Sequence, residues 1–284
     1  MTGEHVPKTS RRLTVNGLRL HYLEWGNPKG RPIVCLHGFT GSARDFGALA
    51  RLQDGYRVIA VDLRGHGESA WSPSGAYEYA DYVDDLAAFV KELNLAPFTL
   101  IGTGMGGVTA MAYAAAYPQC LDAMVVNDVG PEEESGSAGI VRWVDKRPQT
   151  FSSLADALAY CREAVPTLTT RSEEDQLEVV RGVLNQAARG RWVWRLDPAA
   201  TQQRAERGPL KRPELWPALA ALPCPVLVVW AMESRVLSEA QARRMVETLP
   251  CGELAPVPDR GHAPTLAEPA ALTAIQDLLG RLPQ

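Results

Sequence analysis

The chain has 284 residues and a formal net charge of −4 at pH 7, and 46% of its residues are hydrophobic. This composition is that of an ordinary globular protein, and the slightly acidic balance argues against a nucleic-acid-binding protein, which would carry a basic surface. No apolar run approaches the roughly 20 residues that cross a bilayer, and the amino-terminal residues lack the apolar stretch of a secretory signal. We therefore expect a protein that binds neither nucleic acid nor membrane.

The five cysteines are scattered along the chain, and none belongs to a Cys-x-x-Cys pair. Their odd number and their spacing predict neither a disulfide framework nor a metal cluster. We expect a reducing, cytoplasmic environment and no bound metal.

The first predicted element is an antiparallel hairpin. Residues 12–25 alternate apolar and polar around Asn16-Gly17, a dipeptide that favours a two-residue turn with both residues at positive φ. The runs that follow are short and apolar on both faces, which is typical of central strands in a parallel sheet. They lie at 33–36, 58–61, 98–101, 123–126, 226–230 and, more weakly, at 254–257.

Amphipathic helices are predicted between these strands. Residues 77–94 place apolar side chains at helical spacing with acidic side chains opposite, and 238–249 and 268–282 show the same pattern. Residues 131–213 break the alternation, because they hold no strong strand run and show helical patterns around 153–164 and 173–188. This pattern predicts a helical insertion between two strands of the sheet.

Four sequence motifs follow predicted strands directly. They are His37-Gly38-Phe39-Thr40-Gly41, the loop from Asp62 to Ser69, Gly102-Thr103-Gly104-Met105-Gly106-Gly107, and Gly261-His262-Ala263-Pro264. With these motifs in this order, the chain resembles the α/β-hydrolase superfamily over nearly its whole length. The resemblance implies an α/β fold with a mostly parallel eight-stranded sheet, helices on both faces and a helical cap. It assigns 1–130 and 214–284 to the hydrolase core and 131–213 to the cap.

The third motif corresponds to the nucleophile elbow of that superfamily, Gly-x-Ser-x-Gly. The flanking glycines of the motif are present as Gly102 and Gly106, but Gly104 stands at the nucleophile position. The flanking glycines are needed because the tight turn brings backbone against backbone, and Gly104 takes positive φ freely. We expect the elbow backbone to persist without its attacking oxygen. Thr103 is no substitute, since its side chain would leave the turn in another direction.

The same glycines also match a dinucleotide-binding fingerprint. That fingerprint normally belongs to the first strand–helix unit and is followed by an acid at the end of the next strand. Here it lies much later in the chain, and Asp122 falls before the next strand rather than after it. The nucleotide interpretation is therefore disfavoured, and we expect no cofactor.

The resemblance implies that His262 is the catalytic base and that backbone N–H groups of Phe39 and Met105 form an oxyanion hole. The expected position of the triad acid holds Arg235, with Glu233 two residues away. Some family members take the acid from the end of the sixth strand, where Asp128 lies. As the acid that orients His262, we rank Asp128 first and Glu233 second. Each residue also has a non-catalytic interpretation: His262 as a loop histidine that caps a helix, and Asp128 as a loop aspartate that caps local backbone.

The predicted cap and its junction with the core carry several tryptophans: Trp143, Trp192, Trp194 and Trp216. The resemblance implies that the cap closes over the site, which favours a small-molecule substrate with an apolar acyl or ring-containing group. The alternative is that these side chains only pack the cap on the core. The sequence leaves the substrate, its stereochemistry and the oligomeric state open.

Three functional hypotheses explain Gly104. The first is a hydrolase of esters, thioesters, lactones or carbon–carbon bonds whose serine was replaced, a change that one codon base would make; such a chain would be weak or inactive as an esterase. The second is a natural non-hydrolytic enzyme that uses His262 as base for elimination, isomerisation, decarboxylation or cofactor-free oxygenation. Arg235 favours this natural divergence, since a nucleophile knock-out would not explain it. The third is a catalytically silent protein that binds a small molecule.

Overall fold

The computed structural model describes residues 8–52, 55–134, 136–207 and 210–283. Its strands are β1 (Thr9–Val15), β2 (Leu18–Gly26), β3 (Arg31–Leu36), β4 (Tyr56–Val61), β5 (Phe98–Thr103), β6 (Leu121–Asn127), β7 (Thr150–Phe151), β8 (Leu184–Gln186), β9 (Trp192–Trp194), β10 (Val226–Ala231) and β11 (Gly252–Val257). Its α-helices are α1 (Tyr79–Glu92), α2 (Met105–Ala116), α3 (Ser137–Lys146), α4 (Leu154–Ala164), α5 (Glu173–Val183), α6 (Pro198–Arg207), α7 (Trp216–Ala220), α8 (Glu239–Thr248) and α9 (Pro269–Gly280). The longest 3-10 helix is Ala43–Arg51.

Eight strands form one sheet in the order β1-β2-β4-β3-β5-β6-β10-β11. Strands β1 and β2 pair antiparallel, β2 pairs antiparallel with β4, and the remaining neighbours are parallel. The hairpin turn has Asn16 at φ 51° and Gly17 at φ 76°, as the Asn-Gly signal predicts. The fold class predicted from the sequence, a mostly parallel eight-stranded α/β-hydrolase sheet, is confirmed.

Side chains of the central strands alternate between two apolar layers. In β3, Val34 and Leu36 face a cluster that includes residues of α1, α2 and α8, whereas Ile33 and Cys35 face the 3-10 helix and α9. All four are fully buried. Both faces are therefore covered, which is why these strands are continuous apolar runs in the sequence.

The segment 131–213 departs from the prediction of a purely helical excursion. It leaves the sheet after β6 and contains a three-stranded antiparallel sheet in the order β7-β9-β8 as well as helices. The helical pattern predicted over 173–188 ends at Val183, and Leu184 begins β8. These strands have two or three residues, which is too short for an alternating pattern to be detectable. We call residues 131–213 the insertion.

No helix among the described residues is long and apolar enough to cross a membrane. All five cysteines are free, and Cys251 is the exposed one among them.

Candidate active site

The turn between β5 and α2 holds the residue on which the sequence argument depends. Gly104 has φ 52° and ψ −118°, and it stands directly before the first residue of α2. This conformation is readily accessible to glycine and strained for other residues. A Cβ on Gly102 or Gly106 would overlap backbone carbonyl groups, of Gly106 and Leu36 respectively. The backbone of a nucleophile elbow is therefore present, and the flanking glycines are sterically required.

Position 104 faces His262. An ideal Cβ on Gly104 would lie 3.4 Å from Nε2 and 3.6 Å from Cε1 of His262, and 3.7 Å from Cα of Gly38. These are ordinary van der Waals distances, so a small side chain fits. A side chain at position 104 would thus point at Nε2 of the His262 imidazole.

His262 is held by Asp128. Nδ1 of the imidazole donates to Oδ2 of Asp128 at 2.8 Å, and the Asp128 side chain is fully buried while that of His262 is 19% exposed. With its proton on Nδ1, the neutral ring carries its lone pair on Nε2, the atom that faces position 104. This arrangement suits a general base directed at position 104.

Asp128 is fixed by groups at the end of β10 and in the loop that follows it. Its Oδ1 accepts from the Ala231 N–H at 3.0 Å, and its Oδ2 accepts from the Ser234 hydroxyl at 2.7 Å. Its backbone lies at φ 53°, a conformation that Asp tolerates better than most residues. Ser234 was not identified from the sequence, because it is 106 positions from Asp128 and its place depends on the pairing of β6 with β10.

Glu233 and Arg235, the loop residues on either side of Ser234, do not contact Asp128 in this way. Glu233 is exposed, and its backbone N–H donates to the Arg260 carbonyl at 2.9 Å. Arg235 is exposed as well. Within the described chain, the side chains of both residues make no hydrogen bond or ion pair. The structure therefore brings Asp128 to His262 and leaves Glu233 apart from it.

Phe39 and Met105, the residues expected to supply the oxyanion hole, both line the cavity in front of Gly104. Phe39 belongs to a loop that two histidines tie to the loop after β4. His37 accepts from the Leu63 N–H at 2.9 Å, and the ring nitrogens of His66 lie 2.8 Å from the Arg64 carbonyl and 3.0 Å from the Phe39 carbonyl. These contacts fix the path of the loop beside position 104.

The cavity measures about 550 Å³ and is lined by the core and by the insertion. The core contributes Gly104 and His262, and the insertion contributes mainly apolar walls: Ile140, Trp143, Leu168, Val179, Val180 and Trp194. Trp192 and Trp216 do not line it. Trp216 instead donates to Glu132 at 2.7 Å and lies under the Arg244 guanidinium, at 3.8 Å from the ring centroid. A volume of this size accommodates a small organic molecule.

Two titratable groups in the cavity wall are perturbed by burial. Burial raises the pKa of the Cys161 thiol to about 11, which keeps it protonated and unreactive at neutral pH. Burial also raises the pKa of Asp45, although Arg171 and His37 act against the shift. Neither residue lies beside position 104 in the way that His262 does.

A second Ser–His–Asp arrangement lies outside the cavity. His21 Nδ1 is 2.7 Å from Asp62 Oδ2, and His21 Nε2 is 2.9 Å from the Ser10 hydroxyl. Asp62 also accepts from the backbone N–H groups of Ala43 and Glu68, so it joins several loops. The side chains of Ser10, His21 and Asp62 do not line the cavity. Hydrogen-bond geometry without a substrate pocket indicates a structural network.

Comparison with known proteins agrees with this fold. The alpha/beta hydrolase fold family matches residues 31–269. The chain belongs to that family.

Among the relatives that match over most of the chain, some are named hydrolases and one is named a putative synthase. The chain is 30% identical over 264 residues to a 3-hydroxybutyrate-oligomer hydrolase of Cupriavidus necator, covering 89% of this chain and 90% of the relative. A solved α/β hydrolase from Novosphingobium aromaticivorans is 33% identical with a TM-score of 0.85, covering 97% of this chain and 99% of the other. The structure of an E-2-(acetamidomethylene)succinate hydrolase also has a TM-score of 0.85 at 27% identity, with 96% and 100% covered.

Proposed function

We propose that this chain carries the substrate pocket and proton-transfer pair of a serine hydrolase acting on carboxylic esters, thioesters or lactones, or on carbon–carbon bonds, with the nucleophile missing at Gly104. The observation that carries the proposal is the 3.4 Å between an ideal Cβ at position 104 and His262 Nε2. A serine there would place its hydroxyl within reach of a base oriented by Asp128. The hydrolase names of the relatives support the hydrolytic class.

In the complete reaction of such a site, the serine Oγ attacks the acyl carbon while His262 Nε2 takes its proton. His262 then returns that proton to the leaving group, and a water hydrolyses the acyl-enzyme with the same base. Asp128 keeps the proton on Nδ1 and stabilises the imidazolium. The N–H groups of Phe39 and Met105 are the proposed donors to the oxyanion, an interaction that is often worth several kcal/mol.

In the chain as it stands, no side-chain oxygen occupies position 104. The route left for hydrolysis is direct attack by a water from which His262 removes a proton, without an acyl-enzyme. We expect this route to be slow, because removal of a triad member leaves only about 10³–10⁴-fold assistance from the oxyanion hole and binding.

The experiment that tests the proposal is Gly104→Ser, assayed on p-nitrophenyl esters of increasing acyl length. We expect turnover to rise by about 10³-fold or more over the parent chain. Gly104→Ala is the matched control, since it introduces the same backbone strain without an oxygen. A serine variant that folds normally and stays as inactive as the alanine variant would show that the site is not a hydrolase site lacking its nucleophile.

A second candidate is a natural enzyme that uses His262 as general base without covalent catalysis. The Asp128–His262 hydrogen bond is intact although Gly104 offers no nucleophile for the base to activate. A base retained without a nucleophile favours an enzyme in which His262 removes a proton directly from the substrate. Arg235, at the position where the family's acid was expected, favours it as well. Such an enzyme would lose its own reaction in His262→Ala and gain no esterase activity in Gly104→Ser.

A further inference from the structure

A charged side chain at the boundary between core and insertion is buried without a counter-ion among the described residues. Arg147, directly after α3, is 8% exposed. Within the described chain, its guanidinium makes no hydrogen bond or ion pair. Its contact is with the face of Trp194, whose ring centroid lies 4.3 Å from Arg147 Cζ. Buried charges in proteins are ordinarily paired, so this arginine requires an explanation.

The contact with Trp194 does not replace a counter-ion. A cation–π contact offsets only part of the cost of removing a guanidinium from water. Burial accordingly lowers the pKa of Arg147 to about 10, which still leaves the group charged at neutral pH. The indole ring does fix the plane of the guanidinium, and a fixed plane favours two-point binding of a planar anion.

Arg147 lines a small cavity that adjoins the main one. It has room for about one water-sized group, and it shares Phe39, Thr40, Gly41 and Trp194 with the wall of the main cavity. Arg195 also lines it, and no Asp or Glu is among its described lining residues. The side cavity is therefore positively charged, and it shares Phe39, an expected oxyanion-hole residue, with the wall of the main cavity.

Resting on the hydrolytic function proposed above, we propose that Arg147 is a specificity residue that binds a carboxylate on the acyl chain of the substrate where this side cavity adjoins the main one. The side cavity has room for about one carboxylate oxygen, so the rest of the group would lie towards the main cavity. The substrate class is then an ester or thioester of a diacid, with the second carboxyl group left free. The carboxylate would supply the counter-charge that the described residues do not provide.

The binding test compares glutaramate, which has one carboxylate and one amide, with glutaramide, its neutral diamide, and succinamate with succinamide, by isothermal titration calorimetry on the parent chain. Each pair differs by one negative charge at nearly constant shape, and the amide that both members share stands in for the ester group. We expect the mono-acid to bind about tenfold or more tightly than the diamide, since the charge-assisted hydrogen bond to Arg147 is lost in the diamide. Equal affinities within both pairs, or no binding of either mono-acid at millimolar concentration, would overturn the proposal.

The variant test uses Arg147→Met, which keeps the length of the side chain and removes its charge. We expect the affinity ratio of mono-acid to diamide to fall to near one, whereas Arg243→Met, on the exposed face of α8 and paired with Glu239, should retain the ratio of the parent chain. A preference that survives Arg147→Met would assign anion binding elsewhere. If the methionine variant does not fold, Arg147→Lys keeps the charge without the planar fork, and we expect it to reduce the preference. An undiminished preference in the lysine variant would contradict two-point binding.

A kinetic test in the Gly104→Ser chain separates this proposal from the proposed function. Arg147→Met should raise KM for the monoester of a diacid about tenfold or more, while kcat and the hydrolysis of a neutral ester stay nearly unchanged. An equal effect on charged and neutral esters would indicate a merely structural role. If Gly104→Ser hydrolyses no ester at all, the hydrolytic function fails, while the calorimetric preference still decides the role of Arg147.

Discussion

Asp128 and His262 are separated by 134 positions in the chain, and Oδ2 of the first accepts a hydrogen bond from Nδ1 of the second at 2.8 Å. The carboxylate follows β6, and the imidazole follows β11. Their contact depends on β10, which pairs with both of those strands. The sheet therefore sets the distance between the acid and the base.

The Asp128 contact makes a prediction about the acid. In the Gly104→Ser background, Asp128→Asn should lower kcat for p-nitrophenyl esters by about 10³–10⁴-fold, because the amide favours the wrong imidazole tautomer and does not stabilise the imidazolium. Glu233→Gln, a neutralisation of the exposed neighbouring acid, should have little effect. Circular dichroism would verify that both variants are folded. A larger loss in the glutamine variant would reverse the assignment.

The residual activity of the parent chain should depend on His262. We expect His262→Ala to reduce slow hydrolysis of an activated ester by about 100-fold or to the uncatalysed rate, because the general base is removed. Ser10→Ala is the informative control, since Ser10 belongs to the second Ser–His–Asp arrangement. Loss of hydrolysis in the Ser10 variant would mean that the measured activity arises outside the cavity.

Substitution by alanine should destabilise the fold at the elbow glycines but not at a glycine with open space around it. Gly106→Ala should destabilise the fold by about 1–3 kcal/mol or more, because its Cβ would overlap the backbone of β3. Gly139→Ala, within α3 and with nothing within 4 Å of its Cβ, should instead stabilise by about 0.5–1 kcal/mol. Urea denaturation measures both values. A Gly106 variant as stable as the parent would show that the elbow can relax.

Asp62 should contribute to stability in a pH-dependent way. Although burial alone would raise its pKa, the hydrogen bond from His21 and neighbouring charges lower the pKa of Asp62 below the ordinary value of 3.8. Between the folded and unfolded pKa values the unfolded chain binds more protons, so this contribution is full above pH 3.8 and is lost as the pH falls through the folded value.

The test of that contribution is Asp62→Asn, which should cost about 1–3 kcal/mol at pH 7. The difference from the parent should narrow below pH 3.8, as measured by chemical denaturation across the acid range. Asp277→Asn, an exposed carboxylate on α9, serves as control and should leave the acid profile unchanged. If the difference in free energy of unfolding between the parent and Asp62→Asn stays constant with pH, protonation of the Asp62 carboxylate does not affect the stability of the fold.

The sequence was most informative where a local constraint is strict. Buried parallel strands are continuous apolar runs, and the Asn16-Gly17 turn imposes its own φ angles, so the sheet could be predicted strand by strand. The elbow was also visible, since its glycines are closely spaced in the sequence; Gly102 is required by the backbone of Gly106, four residues later, and Gly106 by the backbone of β3 at Leu36.

What escaped prediction depends on tertiary pairing or on very short elements. The sequence ranked Asp128 above Glu233 as the partner of His262, but their contacts depend on the order of strands in the sheet, and Ser234 becomes a partner of Asp128 only through that order. The short strands of the insertion are stabilised by their pairing rather than by a period in their own residues. Arg147 belongs to no sequence motif, since its significance lies in the absence of a counter-ion among the residues that the structure describes.

The insertion begins and ends near neighbouring strands of the sheet. It leaves after β6 and the chain returns to β10, and the two strands are paired directly, with Val226 opposite Met124. A segment whose two attachment points lie side by side can be exchanged with little effect on the rest of a domain. Reaction type and substrate selectivity can therefore diverge separately in such proteins, and grafting another protein's insertion between β6 and β10 would transplant selectivity without rebuilding the Asp128–His262 pair.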